Sequence, residues 1–196
     1  MSLRQCVKAV AFGVAVVLVS PLIALGWLEK HTWRGEVVFT TCAQLLALMP
    51  GPAGSYLRGA YYFGTLSSCS WETHVGFGSI FTHRGGSIGT RASMGAYCVI
   101  GHANIGDGVM MGSRVSVPSG KRQHLDEDGR LSSGRTTYDT VTIGPQTWVG
   151  EGAIILADVG RACIVSAGAV VVKNMPDRSI IGGNPARVLK AVDSAE

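Results

Sequence analysis

The residues best suited to chemistry lie in one polar segment near the middle of the chain. His124 stands there among charged side chains. Histidine is the side chain whose ordinary pKa suits proton transfer near neutral pH. A carboxylate could orient its ring, and the nearby candidates are Asp126, Glu127, Asp128 and Asp139. The segment therefore makes His124 a candidate general base, with a solvated loop histidine as the alternative, and it leaves the orienting carboxylate open.

Four further histidines are weaker candidates. His102 follows Ile100-Gly101, and His83 lies in the Gly-rich stretch Thr82–Gly86. Either could contact an acceptor molecule in a groove, although both could equally be ordinary surface residues. His31 and His74 stand in sequence surroundings that indicate no function.

A repeat of six residues must position these side chains. Between Ile88 and Val172 an aliphatic residue followed by a small one returns at about every sixth position, as in Ile100-Gly101, Met111-Gly112 and Val149-Gly150. A helix repeats near 3.6 residues and a strand at two, so neither explains a period of six. Such a period predicts a parallel β-helix in which each hexad forms one short strand and a turn.

The repeat is interrupted once, between Val117 and Val141. Residues 118–140 are polar and contain His124. Loops of this length are uncommon in compact domains and are often functional. The pattern therefore predicts an excursion from the coil that carries the candidate base.

From about residue 76 to 190 the chain resembles the hexapeptide-repeat acyltransferases. The similarity extends to Ala167–Lys173 and to Gly183–Arg187, which are typical of the last coils of these enzymes. It implies a mainly β fold, a left-handed parallel β-helix of hexapeptide repeats, and a homotrimer with active sites between subunits. Gly76–Gly78 with the amphipathic entry before it is similar to membrane-associated O-acetyltransferases of bacterial surface-polysaccharide pathways.

The resemblance also implies the reaction and its site. Acetyl-CoA would donate an acetyl group to a hydroxyl, with His124 as general base and no metal. His83, His102 and Asp126 would lie on the acceptor side. Residues implied in binding the donor are Trp148, Gly150, Ala167, Gly168, Lys173, Arg187 and Lys190.

The amino-terminal segment predicts contact with a membrane. Hydrophobic residues make up 46% of the chain and charged residues 15%. Ala9–Leu28 contains no charged residue and is long enough to cross a bilayer core. Val37–Met49 is apolar but too short to cross. A cleaved signal peptide, a single span and a re-entrant hairpin are the alternatives. Basic residues on both flanks fit the hairpin, which keeps both ends cytoplasmic, and span against hairpin stays open. With the resemblance, we expect a cytoplasmic catalytic domain at a bacterial inner membrane.

Composition bounds the remaining properties. The net charge of +4 is too small to indicate a nucleic-acid partner, and it suits an anionic ligand or membrane lipids. Five cysteines without CxxC pairing suggest reduced thiols. We expect a membrane-associated helical segment over residues 1–54. The breaker cluster Met49–Gly54 marks its end, the β-helix domain follows over residues 55–190, and residues 191–196 form a tail. A short amphipathic helix is expected over Ser55–Phe63.

Three functions follow from these observations. The first is acetyl-CoA-dependent O-acetylation of a hydroxyl on a saccharide, lipid-linked in this reading because that would explain the membrane segment. The second is acylation of a small soluble acceptor such as an antibiotic, an amino sugar or serine. The third is a zinc-dependent, carbonic-anhydrase-like site, for which the spacings of His83, His102 and His124 fit poorly. The acceptor hydroxyl and the acyl chain length stay open.

Overall fold

The computed structural model describes residues 3–33, 35–120 and 138–192. Three helices come first: α1 (Leu3–Thr32), α2 (Val37–Ala47) and α3 (Gly51–Thr65). Short strands follow, as the period of six predicts. Their bounds are β1 Ser68–Cys69, β2 His74–Val75, β3 Ile80–Phe81, β4 Ser87–Ile88, β5 Ser93–Met94, β6 Val99–Ile100, β7 Ala103–Ile105, β8 Met110–Met111, β9 Ser116–Val117, β10 Val141–Ile143, β11 Trp148–Val149, β12 Ile154–Ile155, β13 Ile164–Val165, β14 Val170–Val171, β15 Ser179–Gly183 and β16 Ala186–Ala191.

The strands wind into a β-solenoid with three parallel faces. In the described residues these faces are a four-stranded sheet (β1-β4-β7-β10), a five-stranded sheet (β14-β12-β9-β6-β3) and a seven-stranded sheet (β16-β15-β13-β11-β8-β5-β2). Each of the first four turns contributes one strand to each face, and the four-stranded face continues as isolated bridges at Val159 and Met175. The final strand, β16, turns back and pairs antiparallel with β15. The parallel β-helix expected from the repeat is confirmed.

The aliphatic residue of each hexad fills the interior. Ile100, Ile143 and Val165 are fully buried, and each stacks near its equivalent in the next turn. The small inward position predicted for Cys98 and Cys163 is also buried. All five cysteines are free thiols. Stacking of successive turns, rather than any single turn, therefore makes the core.

The helices cover the first turn of the coil. Helix α3 packs along α1, and buried aromatic side chains join it to α2 and to β3 through Phe39, Tyr62 and Phe81. Within the described ranges, α1 is the one helix whose length and composition would allow it to cross a bilayer, a property that core helices and signal sequences share.

The segment around Met49–Gly54 is not a linker between the helices and the coil. Pro50 precedes α3 as its N-cap residue, and Pro52 lies in the first turn of the helix. Proline is favoured there because the first-turn N–H groups have no intrahelical acceptor. Helix α3 is consequently longer than the predicted Ser55–Phe63, and the first strand of the coil begins at Ser68.

Candidate active site

The predicted excursion over residues 118–140 leaves and rejoins the coil at one point. The amide of Asp139 donates a hydrogen bond to the carbonyl of Ser119 at 3.1 Å. Gly120 lies against the Asp139 side chain, with a φ of 81° that favours glycine. The two legs of the loop are thus fixed side by side. His124 and Asp126, together with Glu127 and Asp128, lie outside the described residues.

His102 supports this junction from the turn below. Its Nδ1 is 2.8 Å from the Oγ1 of Thr140, and its amide donates to the Oγ of Ser119 at 2.8 Å. The amide of Val141 donates to the His102 carbonyl at 3.0 Å. His102 is therefore bonded to both legs of the excursion.

His83 lies one turn below His102 at the same corner. Its Nδ1 is 2.5 Å from the Oε2 of Glu36, just before α2. Its ring centroid is 4.1 Å from that of Tyr138, at the end of the excursion. A side chain at Gly85 would overlap the ring of His102, so the two turns are in close contact. His83 thus links the helices to the leg that follows the excursion.

We call this column of turns, between the five-stranded and four-stranded sheets, the loop corner: Thr82–Gly86, Gly101–His102, Pro118–Gly120 with Tyr138–Thr140, and Lys173–Asn174. Glu36, Tyr138, Thr140 and Ser119 belong to it, and sequence reasoning did not single them out. Their types are ordinary for surface loops, and only the stacking of turns brings them together.

Trp148 lies on the outer surface of the seven-stranded sheet and is 51% exposed. It pairs with Met110 below and Ile164 above. Gly150 and Ala167 stack directly in successive turns, because a Cβ on Gly150 would lie 2.5 Å from the Ala167 amide nitrogen. Gly168 follows in an exposed turn with a φ of 69°. These predicted donor-binding residues form a second column, the tryptophan corner: Trp148, Gly150, Ala167 and Gly168.

The three predicted phosphate-binding cations do not all lie at this corner. Lys190 and Arg187 are exposed on β16, where they pair with Ile180 and Gly182 at the end of the seven-stranded sheet. Lys173 follows β14 and is exposed at the loop corner. Within one chain the structure brings Lys190 and Arg187 onto the sheet that carries Trp148, and it places Lys173 on another side of the coil.

A cavity of about 840 Å³ lies between α1, α3 and the first turn of the coil. Its lining includes Lys8, Arg91 and His74. The Nδ1 of His74 is 2.9 Å from the Oγ of Ser55. Burial, together with the nearby Arg58 guanidinium, lowers the pKa of His74 below its ordinary value. No sequence pattern indicates this pair, because its two residues stand in different elements.

The cavity and Trp148 share one face of the coil. His74 in β2 pairs with Ser93, which pairs with Met110, which pairs with Trp148. Three strand spacings separate the two ends of this column, or about 14 Å. Among the described residues, no group of three His, Cys, Asp or Glu side chains could hold a metal ion.

The chain is similar in sequence to curated proteins over part of its length. No family model matches the chain. Nodulation protein L of Rhizobium meliloti is 37% identical over 107 residues, which cover 52% of this chain and 57% of that protein. The chain spans only part of its curated relatives: 28% to 57% of the length of nodulation protein L and two other curated relatives that it matches.

Solved structures resemble the chain over most of its length. A maltose O-acetyltransferase of Clostridium difficile has a TM-score of 0.70 at 23% identity, covering 80% of this chain and 86% of its own. A hexapeptide-repeat-containing acetyltransferase of Vibrio cholerae, complexed with acetyl coenzyme A, has a TM-score of 0.61 at 20% identity and covers 79% and 86%. At this level of identity the likeness establishes the fold. The chain therefore has the fold of the hexapeptide-repeat acetyltransferases.

Proposed function

We propose that this protein is an acetyl-CoA-dependent O-acetyltransferase that modifies a hydroxyl of a lipid-linked saccharide at the cytoplasmic face of a bacterial inner membrane. One observation carries the proposal. A coil with the fold of acetyltransferases holds a histidine-bearing excursion at one corner and an exposed tryptophan with stacked small residues at another. These are the two parts that acetyl transfer from a thioester requires: a base, and an open surface for the donor.

The reaction needs few groups from the protein. The imidazole of His124 accepts the proton of the acceptor hydroxyl as its oxygen attacks the thioester carbonyl. Backbone N–H groups can stabilise the oxyanion that forms. When the tetrahedral intermediate collapses, the carbon–sulfur bond breaks and the protonated imidazole returns the proton to the departing thiolate. The products are the acetyl ester and coenzyme A.

Separation of the two corners supports a site between subunits. The excursion is rooted on one side of the coil, and Trp148 faces outward from a different sheet. A homotrimer would bring the excursion of one subunit against the tryptophan corner of the next, which is the arrangement that the family resemblance implies. It would also place Lys173 near Arg187 and Lys190 of a neighbouring subunit.

Donor binding would use the tryptophan corner and the end of the seven-stranded sheet. The pantetheine arm would lie along the stacked turns at Gly150, Ala167 and Gly168, where glycine and alanine leave the backbone accessible. Arg187 and Lys190 are exposed cations suited to the phosphates of coenzyme A.

A saccharide attached to a lipid phosphate would fit the opposite end of the seven-stranded sheet, where β2 borders the cavity beside α1. The cavity beside α1 carries Lys8 and Arg91, which suit a phosphate group, and Glu72 is the acidic side chain among its lining residues. From His74 the outer surface leads to Trp148 over about 14 Å, a distance that a few sugar units can cover. The similar maltose O-acetyltransferase is named for a sugar acceptor.

The test is thiol release from acetyl-CoA by the full chain in detergent, with and without a bacterial lipid-linked glycan extract. We expect release to require the extract and to fall at least about hundredfold in His124→Ala, since general-base catalysis contributes about 10²–10⁴-fold. His31→Ala is the matched control, because His31 is exposed on α1 and should not affect turnover. Equal turnover of wild type and His124→Ala would contradict the base assignment. Release with soluble sugars alone would contradict the lipid-linked acceptor.

A further inference from the structure

Helix α1 presents its more apolar face to the outside. The residues packed inward include Ala15, Gly26 and Glu29. The opposite face is mainly apolar, and its polar exposed residues are Ser20 near the middle and His31 and Thr32 at the end. Its large apolar side chains are each at least half exposed: Leu3, Val7, Val10, Val14, Val17, Leu18, Leu25 and Leu28. A soluble surface helix has the reverse pattern. An apolar stripe of this length indicates that another apolar phase covers it.

Helix α1 is fixed to the first turns of the coil at two points, Phe12 and Glu29. Near its start, the Phe12 ring lies 6.3 Å from Trp71. Near its end, Glu29 is ion-paired with Arg84 at 2.6 Å. The 17 residues between Phe12 and Glu29 rise about 25 Å along the helix. The helix therefore lies across the base of the coil.

This position conflicts with a helix that crosses the bilayer. Only residues 3–11 extend beyond Phe12 at one end, about 14 Å of helix, whereas a bilayer core is about 30 Å thick. If α1 stood upright, the hydrocarbon core would have to include either Arg84, at the Glu29 end, or both Glu72 and Arg91, at the Phe12 end. Charged side chains at that depth are strongly unfavourable.

A re-entrant hairpin of α1 and α2 meets the same obstacle. The carboxylate of Glu29 accepts hydrogen bonds from the amides of Val38 and Phe39 at the start of α2. The Tyr61 hydroxyl of α3 donates to the Phe39 carbonyl at 3.0 Å. The turn between α1 and α2 is thus held at the coil and cannot insert deeply.

Charges around the stripe suit an anionic lipid surface. No charged side chain lies on the outer face of α1. Arg4, Lys8 and Lys30 are exposed near the two ends of the helix, on the side that faces the coil, where they could reach lipid headgroups at the edge of the contact. The acidic residues of this region, Glu29 and Glu36, are bonded to Arg84 and His83. Exposed Trp27 and Trp33 lie near the end of the helix, where interfacial aromatic residues are favoured.

We propose that α1 lies flat in one leaflet of an anionic bilayer, with its apolar stripe in the acyl chains and the coil standing off the membrane in water. Interfacial helices of this kind bury their apolar face about 5–10 Å deep. The exposed apolar residues of α2 and its flanks, Val37, Leu45, Leu48 and Met49, extend the contact. The proposal rests on the packing of α1 and holds whether or not the protein transfers acetyl groups.

Measurements of depth in the bilayer distinguish a flat α1 from a crossing α1 and from a re-entrant hairpin of α1 and α2. Nitroxide labels at Val7, Val14, Leu18 and Leu25 of the full chain would be measured by accessibility to oxygen and to a polar relaxant, in phosphatidylcholine vesicles containing phosphatidylglycerol. A flat helix gives nearly equal, shallow depths at all four positions. A crossing helix gives a depth that changes by about 1.5 Å per residue. A hairpin gives a depth that increases toward Leu25, the labelled position nearest the turn between α1 and α2. Either of the last two profiles would overturn the proposal.

Vesicle binding tests the same surface without labels. Val14→Glu/Leu18→Glu places two charges on the stripe, at side chains that are 55% and 65% exposed. We expect its partition into anionic vesicles to fall at least about tenfold. The matched control is Val188→Glu/Leu189→Glu, which makes the same changes on exposed β16 and should bind as wild type. Equal binding of the two variants would overturn the proposal, as would a stripe buried between protein copies in the absence of lipid.

Discussion

At the residue scale, two histidines assigned to the acceptor have structural partners. His102 is bonded to both legs of the excursion, and His83 is bonded to Glu36 and packed on Tyr138. The contacts of both suit positioning of the loop that carries His124. Their role on the acceptor side stays a prediction. The Ser55–His74 pair, which lines the cavity at the base of the coil, is the group that the sequence did not indicate.

The buried ion pair of Glu29 and Arg84 gives a prediction at this scale. Burial favours the neutral carboxyl, but the amides of Val38 and Phe39 and the Arg84 guanidinium outweigh it and hold the pKa of Glu29 below its ordinary value of 4.5. The ionised carboxylate therefore stabilises the folded state above pH 4.5, and this contribution is lost as the pH falls through the folded-state pKa.

We expect Glu29→Gln to lower the free energy of unfolding by about 2–4 kcal/mol at neutral pH, because buried Arg84 loses the nearer of its two carboxylates and keeps Glu36 at 3.7 Å. The deficit should shrink as the pH falls below 4.5. Urea unfolding in detergent, followed by circular dichroism between about pH 7 and pH 3, measures it. Glu151→Gln, at an exposed turn, is the control and should show almost no deficit. A deficit in Glu29→Gln that does not change with pH would contradict the assignment.

At the element scale, the spacing between turns of the coil limits which residues fit at the corners. Gly76 lies directly below Gly95, and a Cβ at Gly76 would collide with the Gly95 carbonyl oxygen. That oxygen belongs to the backbone of the next turn, and the Gly76 amide is itself bonded to the carbonyl of Met94 at 3.0 Å. The two turns cannot separate without loss of that ladder.

We therefore expect Gly76→Ala to reduce the free energy of unfolding by about 1–3 kcal/mol, the usual range for overpacking. Gly13→Ala is the matched comparison. Gly13 is exposed on α1 with no atom within 4 Å of the added methyl group. That change should stabilise the protein by about 0.5–1 kcal/mol, since glycine weakens a helix interior. Urea unfolding of both variants tests the pair, and a harmless Gly76→Ala would mean that the turns are farther apart.

At the scale of the whole molecule, the proposed active site requires more than one subunit. The excursion and the tryptophan corner lie on different sides of one coil, so His124 would act beside Trp148 of a neighbour. Helix α1 would hold every subunit at the same height on the membrane. The lipid-linked acceptor and the catalytic excursion would then meet at one membrane surface. The enzyme would find its acceptor by diffusion in the plane of the membrane rather than through the solution.

Subunit mixing tests this arrangement. His124→Ala and Trp148→Ala should each be nearly inactive, whereas coexpression in equal amounts should restore about a quarter of wild-type thiol release, because one interface in four then combines both native residues in a randomly mixed symmetric ring. Each variant expressed alone is the control, with light scattering to measure the mass of the assembly. Mixed assemblies that stay inactive would place both residues in one subunit.

The sequence by itself determined the coil. Each hexad buries its own aliphatic residue against the equivalent residue of the next turn, so the pattern is local and can be read along the chain. It also determined the apolar character of the first helix and the polar excursion around His124. Cys98 and Cys163, predicted to face inward, are buried as expected.

Only the tertiary structure decided how these parts meet. Glu36 and His83 are 47 residues apart in sequence, and Glu29 and Arg84 are 55 apart. No periodicity marks such pairs, because a single long-range contact leaves no repeating pattern. The helix that composition alone would allow to span a bilayer is packed along the base of the coil, with its apolar stripe outward. Whether an apolar helix crosses a membrane or lies on it depends on what its other face packs against, and hydropathy does not record that.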